Sequence, residues 1–229
     1  MRAAKPRHGR RAPRTTAAPF ARQLVIMAKV PAAGLVKTRL ARQIGPTAAT
    51  GFYRHVLHAV VGRLAADPRW RTVLAVSPDT AMASRALPAT AARVGQGRGD
   101  LGERLCRAFE RRGPGPVVVI GTDIPAIRPA HIAAAFRKLG SRRAVFGPAP
   151  DGGFWLIGLQ RTRRVPRLFG SVRWSTEHAL ADCRAPFAAG DVGLVATLSD
   201  VDAPIDHKRV AGWSGRRILP VDAGQSPAD

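Results

Sequence analysis

Near its middle the chain contains the run Val117-Val118-Val119-Ile120-Gly121-Thr122-Asp123-Ile124-Pro125. Four consecutive β-branched residues, preceded by Gly-Pro and followed by Gly-Thr, predict a strand that is buried on both faces. Such strands are typical of the centre of a mostly parallel sheet. Because ligands of open α/β folds bind at the carboxyl ends of the strands, Asp123 is the first candidate for a functional carboxylate. The alternative is that Asp123 is a turn or N-cap residue for the helix that begins near Pro129.

Length and charge limit the class of protein. A chain of 229 residues is long enough for one α/β domain with a sizeable core. Its 37 basic and 15 acidic residues give a formal net charge of +22, which favours anionic partners such as nucleotides, phosphorylated substrates, nucleic acid or acidic membrane surfaces. No apolar run approaches the roughly 20 residues of a membrane helix, so we expect no membrane insertion.

The two ends of the chain differ in composition from its middle. Residues 1–22 are basic, contain no acidic residue and lack apolar periodicity, which predicts a disordered tail, although a transit-like peptide is an alternative. Cys106 and Cys183 are too far apart to frame a disulfide scaffold or a metal cage. We therefore predict a cytoplasmic protein with one domain over residues 23–215 and a second tail over residues 216–229.

Apolar periodicity predicts alternating strands and helices, which favours an α/β fold. Strands are predicted over residues 24–28, 72–76, 92–94, 117–120, 144–146, 154–159 and 195–198. Helices are predicted over residues 47–64, 79–87, 101–112 and 129–139, and from Trp174 onwards with Ser175 as the N-cap.

A loop with Pro and Gly follows the first strand and leads into a basic helix start. Gly34 would let main-chain amides approach a phosphate, while Lys37 and Arg39 supply positive charge. The loop is not a Walker A motif, because its first glycine is missing and Lys37 does not directly follow Gly34. Solvated charge on a helix surface is the alternative explanation.

Two further segments carry candidate carboxylates. Residues 147–153 are dense in Gly, Pro and Asp, which indicates a turn with special backbone angles around Asp151, with an ordinary Asp-Gly hairpin as the alternative. Asp200, Asp202 and Asp206 follow the last predicted strand. Carboxylates in this position suit Mg²⁺, which takes one or two of them together with phosphate oxygens. Helix capping and solvation are the alternatives here.

Residues 97–102 satisfy the pattern G-x-G-x-x-G of dinucleotide-binding proteins. The strand before this pattern is short, and Asp100 and Glu103 would repel a pyrophosphate. We therefore predict a strand-to-helix turn near a substrate, in which both acids favour the helix N-terminus.

Six segments share a pattern with one family. They are Met27-Ala28-Lys29-Val30-Pro31 with Gly34 and Lys37-Thr38-Arg39-Leu40; Gln96-Gly97 with Gly99-Asp100-Leu101-Gly102-Glu103-Arg104; Gly121-Thr122-Asp123 with Pro125; Gly147-Pro148-Ala149 with Asp151-Gly152-Gly153 and Leu156-Ile157-Gly158-Leu159; Trp174-Ser175-Thr176; and Asp200-Val201-Asp202 with Asp206. In this order they resemble the glycosyltransferase-like proteins of the nucleotide-diphospho-sugar transferase (GT-A) superfamily, of the type labelled radical-SAM/selenodomain-associated transferase. A more distant resemblance is to phospholactate guanylyltransferases.

The resemblance implies a single three-layer α/β/α sandwich with a mixed, mostly parallel sheet, a nucleotide or nucleotide-sugar donor, and a small-molecule acceptor. It implies Mg²⁺ or Mn²⁺ at Asp123 and at Asp202 or, less directly, Asp206, and catalytic roles for Asp123, Lys37 and Asp151. Phe154 and Trp155 stand where Tyr is frequent, which preserves an aromatic wall. The implied donor and acceptor contacts are Ala28, Lys29, Gly34, Lys37, Arg39, Gln96, Gly97, Thr122, Gly152, Gly153, Trp174 and Ser175.

Several functions stay open. The donor is an NDP-sugar in glycosyl transfer, or an NTP in nucleotidyl transfer to a phosphorylated small molecule. Gly121 stands at the first position of an Asp-x-Asp pair, which resembles the nucleotidyltransferases. The charge of +22 also raises nucleic-acid binding, but the aromatic residues amount to only 6% and lie within apolar runs rather than among basic residues. A non-catalytic nucleotide binder is the third alternative.

Overall fold

The structure, a computed structural model, describes residues 21–161 and 168–200. The predictions for the two tails and for Asp202 and Asp206 lie outside these residues, except at positions 21 and 22. The described strands are β1 (Gln23–Lys29), β2 (Arg71–Ser77), β3 (Ala92–Gly95), β4 (Gly115–Ile120), β5 (Ala144–Pro148), β6 (Phe154–Arg161) and β7 (Val192–Leu194). The described α-helices are α1 (Thr38–Ile44), α2 (Pro46–Ala65), α3 (Leu101–Glu110), α4 (Pro129–Leu139) and α5 (Ala179–Arg184).

The strands form one sheet in the order β3-β2-β1-β4-β6-β5-β7. Neighbouring strands are parallel, except that β6 is antiparallel to both β4 and β5. The predicted α/β fold with a mixed, mostly parallel sheet is therefore confirmed. Because β1 to β4 are parallel, their carboxyl ends lie along the same edge of the sheet.

Alternating side chains of the sheet enter two hydrophobic cores, one on each face. On β1, Leu24 and Ile26 pack in a core with α1, α2 and α4, whereas Val25 belongs to a core with α3 and α5. This arrangement gives three layers, with helices on both faces of the sheet. None of the helices in the described ranges has the length and apolar character needed to cross a membrane.

Sequence periodicity located most elements, but three of them differ from their predictions. Helix α4 has its predicted bounds, whereas α5 begins at Ala179 and not at Trp174, and Ser175 is not its N-cap. Ser175 instead has a left-handed backbone with φ 62°, so the chain turns before the helix starts. The hydroxyl of Thr176 accepts the N–H of His178 in this turn.

The last strand also differs from its prediction. Strand β7 covers Val192–Leu194, three residues before the predicted strand. Residues 195–198 continue alongside β5 without forming a regular strand. In this segment the N–H groups of Val195 and Leu198 donate to the carbonyls of Phe146 and Pro148. In addition, only a single 3₁₀ turn (Asp79–Ala81) forms within the predicted helix over residues 79–87.

A β-bulge interrupts the pairing of β5 with β6. Gly147 is opposite Leu156 and Pro148 is opposite Phe154, which leaves Trp155 as the extra residue. The extra residue changes the alternation of side chains along β6. As a result Phe154 lies on the α3 face of the sheet, and Trp155 lies on the opposite face.

Tyr53 links α2 to the carboxyl edge of the sheet. Its hydroxyl accepts the N–H of Lys29 at 3.0 Å, and it lies 3.1 Å from the carbonyl of Lys29 and 3.2 Å from the hydroxyl of Thr122. Burial is the main cause that raises the pKa of Tyr53 to about 12, and the nearby Asp123 carboxylate contributes. The neutral phenol is therefore a structural part of this edge.

The alkaline stability of the protein tests the role of Tyr53. The pKa of Tyr53 in the folded protein lies above its unfolded value of 10.0. The stabilisation from the neutral Tyr53 phenol is therefore complete below about pH 10 and is lost as the pH rises from about 10 to 12. We expect the free energy of unfolding to fall over this range by roughly 2 to 3 kcal/mol more than in Tyr53→Phe. Urea unfolding at several pH values measures both proteins, and parallel pH profiles would contradict the assignment.

Gly147 provides the space for the bulged Trp155. A Cβ at Gly147 would lie 2.4 Å from the Trp155 ring, whereas a Cβ at Gly121 would meet no atom within 4 Å. We expect Gly147→Ala to destabilise the protein by about 1 to 3 kcal/mol because the indole must move. The matched variant Gly121→Ala changes stability by less than about 1 kcal/mol. Urea unfolding of the two variants compares them, and equal stabilities would be inconsistent with packing of Trp155 on Gly147.

Candidate functional site

A cavity of about 700 Å³ opens at the carboxyl edge of the sheet. The ends of β1 and β4, the start of β6, the first turn of α3 and the loop before α1 surround it. Its lining includes the predicted site residues Ala28, Lys29, Lys37, Arg39, Gln96, Thr122 and Asp123. Residues from four distant parts of the sequence thus meet where open α/β sheets bind their ligands.

An ion pair between Lys37 and Asp123 lies in this cavity. The Lys37 ammonium is 3.2 Å from a carboxylate oxygen of Asp123. The Lys37 side chain is 6% exposed and that of Asp123 is 54% exposed, so the carboxylate keeps an open face toward the cavity. Asp123 does not cap the following helix, because the N-cap position of α4 is Arg128. The structure therefore excludes Asp123 as the N-cap of α4, and its role as a functional carboxylate stays a prediction.

The positions of Lys37 and Thr122 depend on the loops around them. Lys37 has φ 48° and ψ 47° at the N-cap of α1, an uncommon backbone for a residue with a side chain. Thr122 is 2% exposed, and its hydroxyl is within hydrogen-bond distance of Tyr53. The residue before Asp123 is thus held by the core helix α2, which orients the start of the loop after β4.

Gln96 is a buried polar side chain in the cavity wall. It is 6% exposed, and its amide nitrogen donates to the carbonyls of Ala28 at 3.1 Å and Ala75 at 2.8 Å. Two carbonyl acceptors identify this atom as the nitrogen of the amide group. Both N–H groups are therefore occupied, which leaves the amide oxygen of Gln96 as the polar atom available to a ligand.

Positive charge predominates around the cavity. Among its described lining residues the basic ones are Lys29, Lys37, Arg39 and Arg104, and the acidic ones are Asp100 and Asp123. Arg104 was not predicted from sequence as a site residue. Its guanidinium donates to the carbonyl of Gly99 at 2.9 Å and reaches the hydroxyl of Ser77 at 3.4 Å. The helical spacing between Asp100 and Arg104 could have indicated from the sequence that Arg104 lies near this edge of the sheet.

The first turn of α3 is closed by its own acidic residues. Asp100 accepts the N–H of Glu103 at 2.8 Å, and Glu103 accepts the N–H of Asp100 at 2.9 Å. This capping box uses amides that a dinucleotide pyrophosphate would need. The prediction of a strand-to-helix turn is confirmed. Gly97 lies outside the lining of the cavity, and its N–H donates to the Asp79 carboxylate at 2.9 Å.

The structure places several predicted site residues outside the lining of the cavity. Gly34 lies in the exposed loop before α1 and has φ 77°. Asp151 lies in the turn between β5 and β6, where its carboxylate accepts the N–H of Gly153 at 2.9 Å. The hairpin interpretation of this segment is confirmed, since β5 and β6 are antiparallel neighbours. Asp151 and Gly153 are therefore in contact with each other rather than with the cavity.

Gly152, Trp174 and Ser175 lie behind the residues that line the cavity and do not line it themselves. A Cβ at Gly152, which has φ 81°, would lie 2.2 Å from the carbonyl oxygen of Glu177. The hairpin turn thus rests directly on the main chain before α5. The Trp174 ring lies 6.3 Å from the Phe154 ring, centroid to centroid, while Ser175 turns the chain. Phe154 itself lines the cavity.

The carboxylate chemistry of the cavity suits a hard divalent cation. Asp123 offers an open carboxylate beside basic side chains that attract phosphate, and Mg²⁺ needs only one or two protein carboxylates when substrate phosphates complete its shell. Within the described residues, no group of three or more His, Cys, Asp or Glu side chains could hold a metal by itself. A second carboxylate from Asp202 or Asp206 stays a prediction, since both lie outside the described residues.

Solved structures with the same fold are transferases. A proposed nucleotide-diphospho-sugar transferase from Desulfovibrio desulfuricans G20 matches with TM-score 0.76 and 26% identity over 85% of this chain and 89% of that chain. CMP:2-keto-3-deoxy-manno-octonic acid synthetase, complexed with CTP, matches with TM-score 0.53 and 14% identity, over 84% of this chain and 98% of that chain. These matches confirm the predicted nucleotide-diphospho-sugar transferase fold.

A third structure of this fold contains a metal. Glucosyl-3-phosphoglycerate synthase from Mycobacterium tuberculosis, in complex with Mn²⁺, UDP and glucosyl-3-phosphoglycerate, matches with TM-score 0.50 and 13% identity over 83% of this chain and 75% of that chain.

At the level of sequence, no curated protein matches the chain. A family profile does match, over residues 60–176, which include β2 to β6 and the cavity residues Gln96, Arg104 and Asp123. The chain belongs to this family, DUF2064, described as uncharacterized proteins conserved in bacteria.

Proposed function

We propose that this protein is a divalent-metal-dependent transferase that binds a nucleotide donor, an NDP-sugar or an NTP, and transfers part of it to a small-molecule acceptor. The Asp123–Lys37 pair carries the proposal, because it places a metal-binding carboxylate and a phosphate-binding cation 3.2 Å apart at the strand edge. The similarity to a proposed nucleotide-diphospho-sugar transferase supports it.

The cavity provides separate places for the base and the phosphates of the donor. The free amide oxygen of Gln96 accepts a hydrogen bond from an N–H group of the base. Lys37, Arg39 and Arg104 neutralise the phosphates, with Arg104 held in place by the carbonyl of Gly99. Lys29 lies between these groups at the end of β1, where Tyr53 holds its main chain.

Asp123 would hold the Mg²⁺ or Mn²⁺, with Asp202 or Asp206 as the proposed second carboxylate. When bound, the metal supplies Lewis-acid neutralisation of charge on the donor phosphates. Lys37 adds a fixed positive charge beside the same oxygens, and this charge stabilises the leaving phosphate group. Without a donor, the Lys37 ammonium lies against Asp123, so cation and ammonium compete for one carboxylate until phosphates bind Lys37.

Nucleotidyl transfer is the second candidate, and Gly121 is the observation that favours it. Gly121 lines the cavity two residues before Asp123, and a Cβ there would meet no atom within 4 Å. Glycosyltransferases of this fold usually carry a second carboxylate at this position, whereas here the space is open to the α-phosphate of an NTP. The distant resemblance to phospholactate guanylyltransferases favours the same reaction. Formation of pyrophosphate rather than NDP would identify it.

Thermal denaturation with a panel of NTPs and NDP-sugars, with and without Mn²⁺ or Mg²⁺, tests the proposed donor site. At a ligand concentration of about 100 times Kd, we expect a stabilisation of about 3 kcal/mol, which raises Tm by roughly 5 to 10 °C. In Asp123→Asn the metal-dependent part of this shift should be lost, because the amide carries no charge for the cation.

Two aspartates serve as comparisons in this experiment. Asp191 pairs with Arg143 on the surface and does not line the cavity, so Asp191→Asn should keep the full shift. Asp151→Asn decides whether the carboxylate of the hairpin turn takes part in catalysis, through the turnover of the stabilising donor. A wild-type protein that no nucleotide stabilises in the presence of metal would refute the proposed function.

Competition between Lys37 and the metal makes a separate prediction. Lys37→Met removes the ammonium from Asp123 but keeps the volume of the side chain. We expect Mn²⁺ alone to bind Lys37→Met more tightly than the wild type, by roughly three- to tenfold, and the metal–nucleotide complex to bind it more weakly. Titration calorimetry measures both affinities. A change in the same direction for Mn²⁺ alone and for the complex would contradict a shared site.

A further inference from the structure

The cavity has two chemically different halves. The half near the ends of β1, β3 and β4 contains the charged and amide side chains described above. The other half lies on the α3 face of the sheet, where apolar side chains of β1, β4 and β6 meet those of α3. Its described lining side chains are Met27, Leu101, Leu105, Val119, Phe154 and Ile157. Leu105, Val119 and Ile157 are at most 3% exposed, so Met27, Leu101 and Phe154 present most of its apolar surface.

The bulge at Trp155 creates this apolar half. The bulge shifts the alternation of side chains along β6 by one residue, so that Phe154 lies on the α3 face together with Ile157. The Phe154 ring is then fixed from behind, with its centroid 5.8 Å from the Phe146 ring and 6.3 Å from the Trp174 ring. A ring held on two sides is a preorganised wall rather than a mobile side chain, so it is available for contact with a ligand at little entropic cost.

The apolar half has little to offer a sugar. None of its six described side chains has a hydrogen-bonding group apart from the weakly accepting sulfur of Met27. The neighbouring Trp155 also lines the cavity, but its indole N–H already donates to the carbonyl of Ala196 at 3.0 Å. Hydroxyl groups of a polyol would lose water there without replacement, which is unfavourable. A hydrocarbon group would gain by leaving water.

We propose that the acceptor of this enzyme carries a hydrocarbon group, an aliphatic chain or an aromatic ring, that packs on Phe154 and its apolar neighbours. This inference rests on the proposed function in its nucleotidyl-transfer form, in which the acceptor is phosphorylated, and it assumes that the phosphate of the acceptor lies near Lys37 and Asp123. The apolar half then selects among phosphorylated small molecules by their hydrocarbon part and excludes sugar phosphates.

A series of n-alkyl phosphates from methyl to hexyl phosphate tests the inference by titration calorimetry, with glucose 1-phosphate as the polyol of comparable size. We expect the affinity to rise about three- to fourfold with each methylene until the apolar half is filled. Hexyl phosphate should also bind more tightly than glucose 1-phosphate. Equal affinity along the series, tighter binding of glucose 1-phosphate, or no binding of hexyl phosphate at millimolar concentration would overturn the inference.

Variants of two phenylalanines assign the effect to the cavity. Phe154→Ala should lower the affinity for hexyl phosphate by roughly tenfold or more and leave the affinity for methyl phosphate unchanged. Phe154→Leu should retain most of the affinity for hexyl phosphate. Phe187 also packs on the Phe146 ring, at 6.5 Å between centroids, but does not line the cavity, so Phe187→Ala is the matched control. An equal loss in Phe154→Ala and Phe187→Ala would overturn the assignment, as would an unchanged slope in Phe154→Ala.

The nucleotide titration separates the two proposals. Phe154→Ala should keep the metal-dependent stabilisation by the donor, because Phe154 lies in the apolar half. If the wild type binds a metal–nucleotide complex but shows no dependence on alkyl length, only the inference about the acceptor fails. If no nucleotide binds in the presence of metal, the proposed function fails, whatever the alkyl series shows.

Discussion

The burial of β4 on all sides is the constraint on which the site depends. Its main chain is paired with β1 on one side and with β6 on the other, and its side chains Val117 to Ile120 are no more than 2% exposed. A shift of one residue would exchange the side chains of the two cores and draw polar Thr122 toward the hydrocarbon interior. The register of β4 therefore determines that Asp123 emerges at the edge of the sheet, near the end of β1.

Around this carboxylate the protein concentrates positive charge while keeping the carboxylate itself open. Asp123 keeps about half of its side-chain surface exposed, whereas the Lys37 side chain is covered. Packing around Lys37 therefore fixes the ion pair, and the Asp123 carboxylate stays open to the cavity. The long alkyl stem of a lysine permits this arrangement. The main chain on either side is rigid for a different reason, since the buried hydroxyl of Tyr53 connects α2 to Lys29 and Thr122. A charged cavity on a rigid frame suits a ligand whose phosphates must be positioned.

The antiparallel strand β6 gives the cavity its asymmetry. A parallel strand in that position would need a crossover connection, whereas the short hairpin from β5 lets a bulge form next to the site. The bulge places Trp155 on the same face as Leu156 and so brings Phe154 to the α3 face. Glycines at positions 147 and 152 make room for the indole and for the main chain before α5. One end of the cavity is consequently charged and the other is a fixed aromatic and aliphatic wall.

Strands β1 to β6, the helix α4, the capped start of α3 and the place of Asp123 at a strand end could all be predicted from the sequence, because they depend on contacts or preferences within a few residues. The resemblance to a family could also indicate Lys37, Gln96 and Thr122. The role of Tyr53 could not be predicted in this way, Arg104 was not among the predicted site residues, and the resemblance gave Phe154 only as part of an aromatic wall. Tyr53 contacts Thr122, although the two residues are 69 positions apart in the sequence. Phe154 faces the cavity only because the pairing of β5 with β6 contains a bulge in which Trp155 is the extra residue. Helical or strand periodicity reports which face of an element is apolar, but the neighbour that the face meets is decided when the layers pack together.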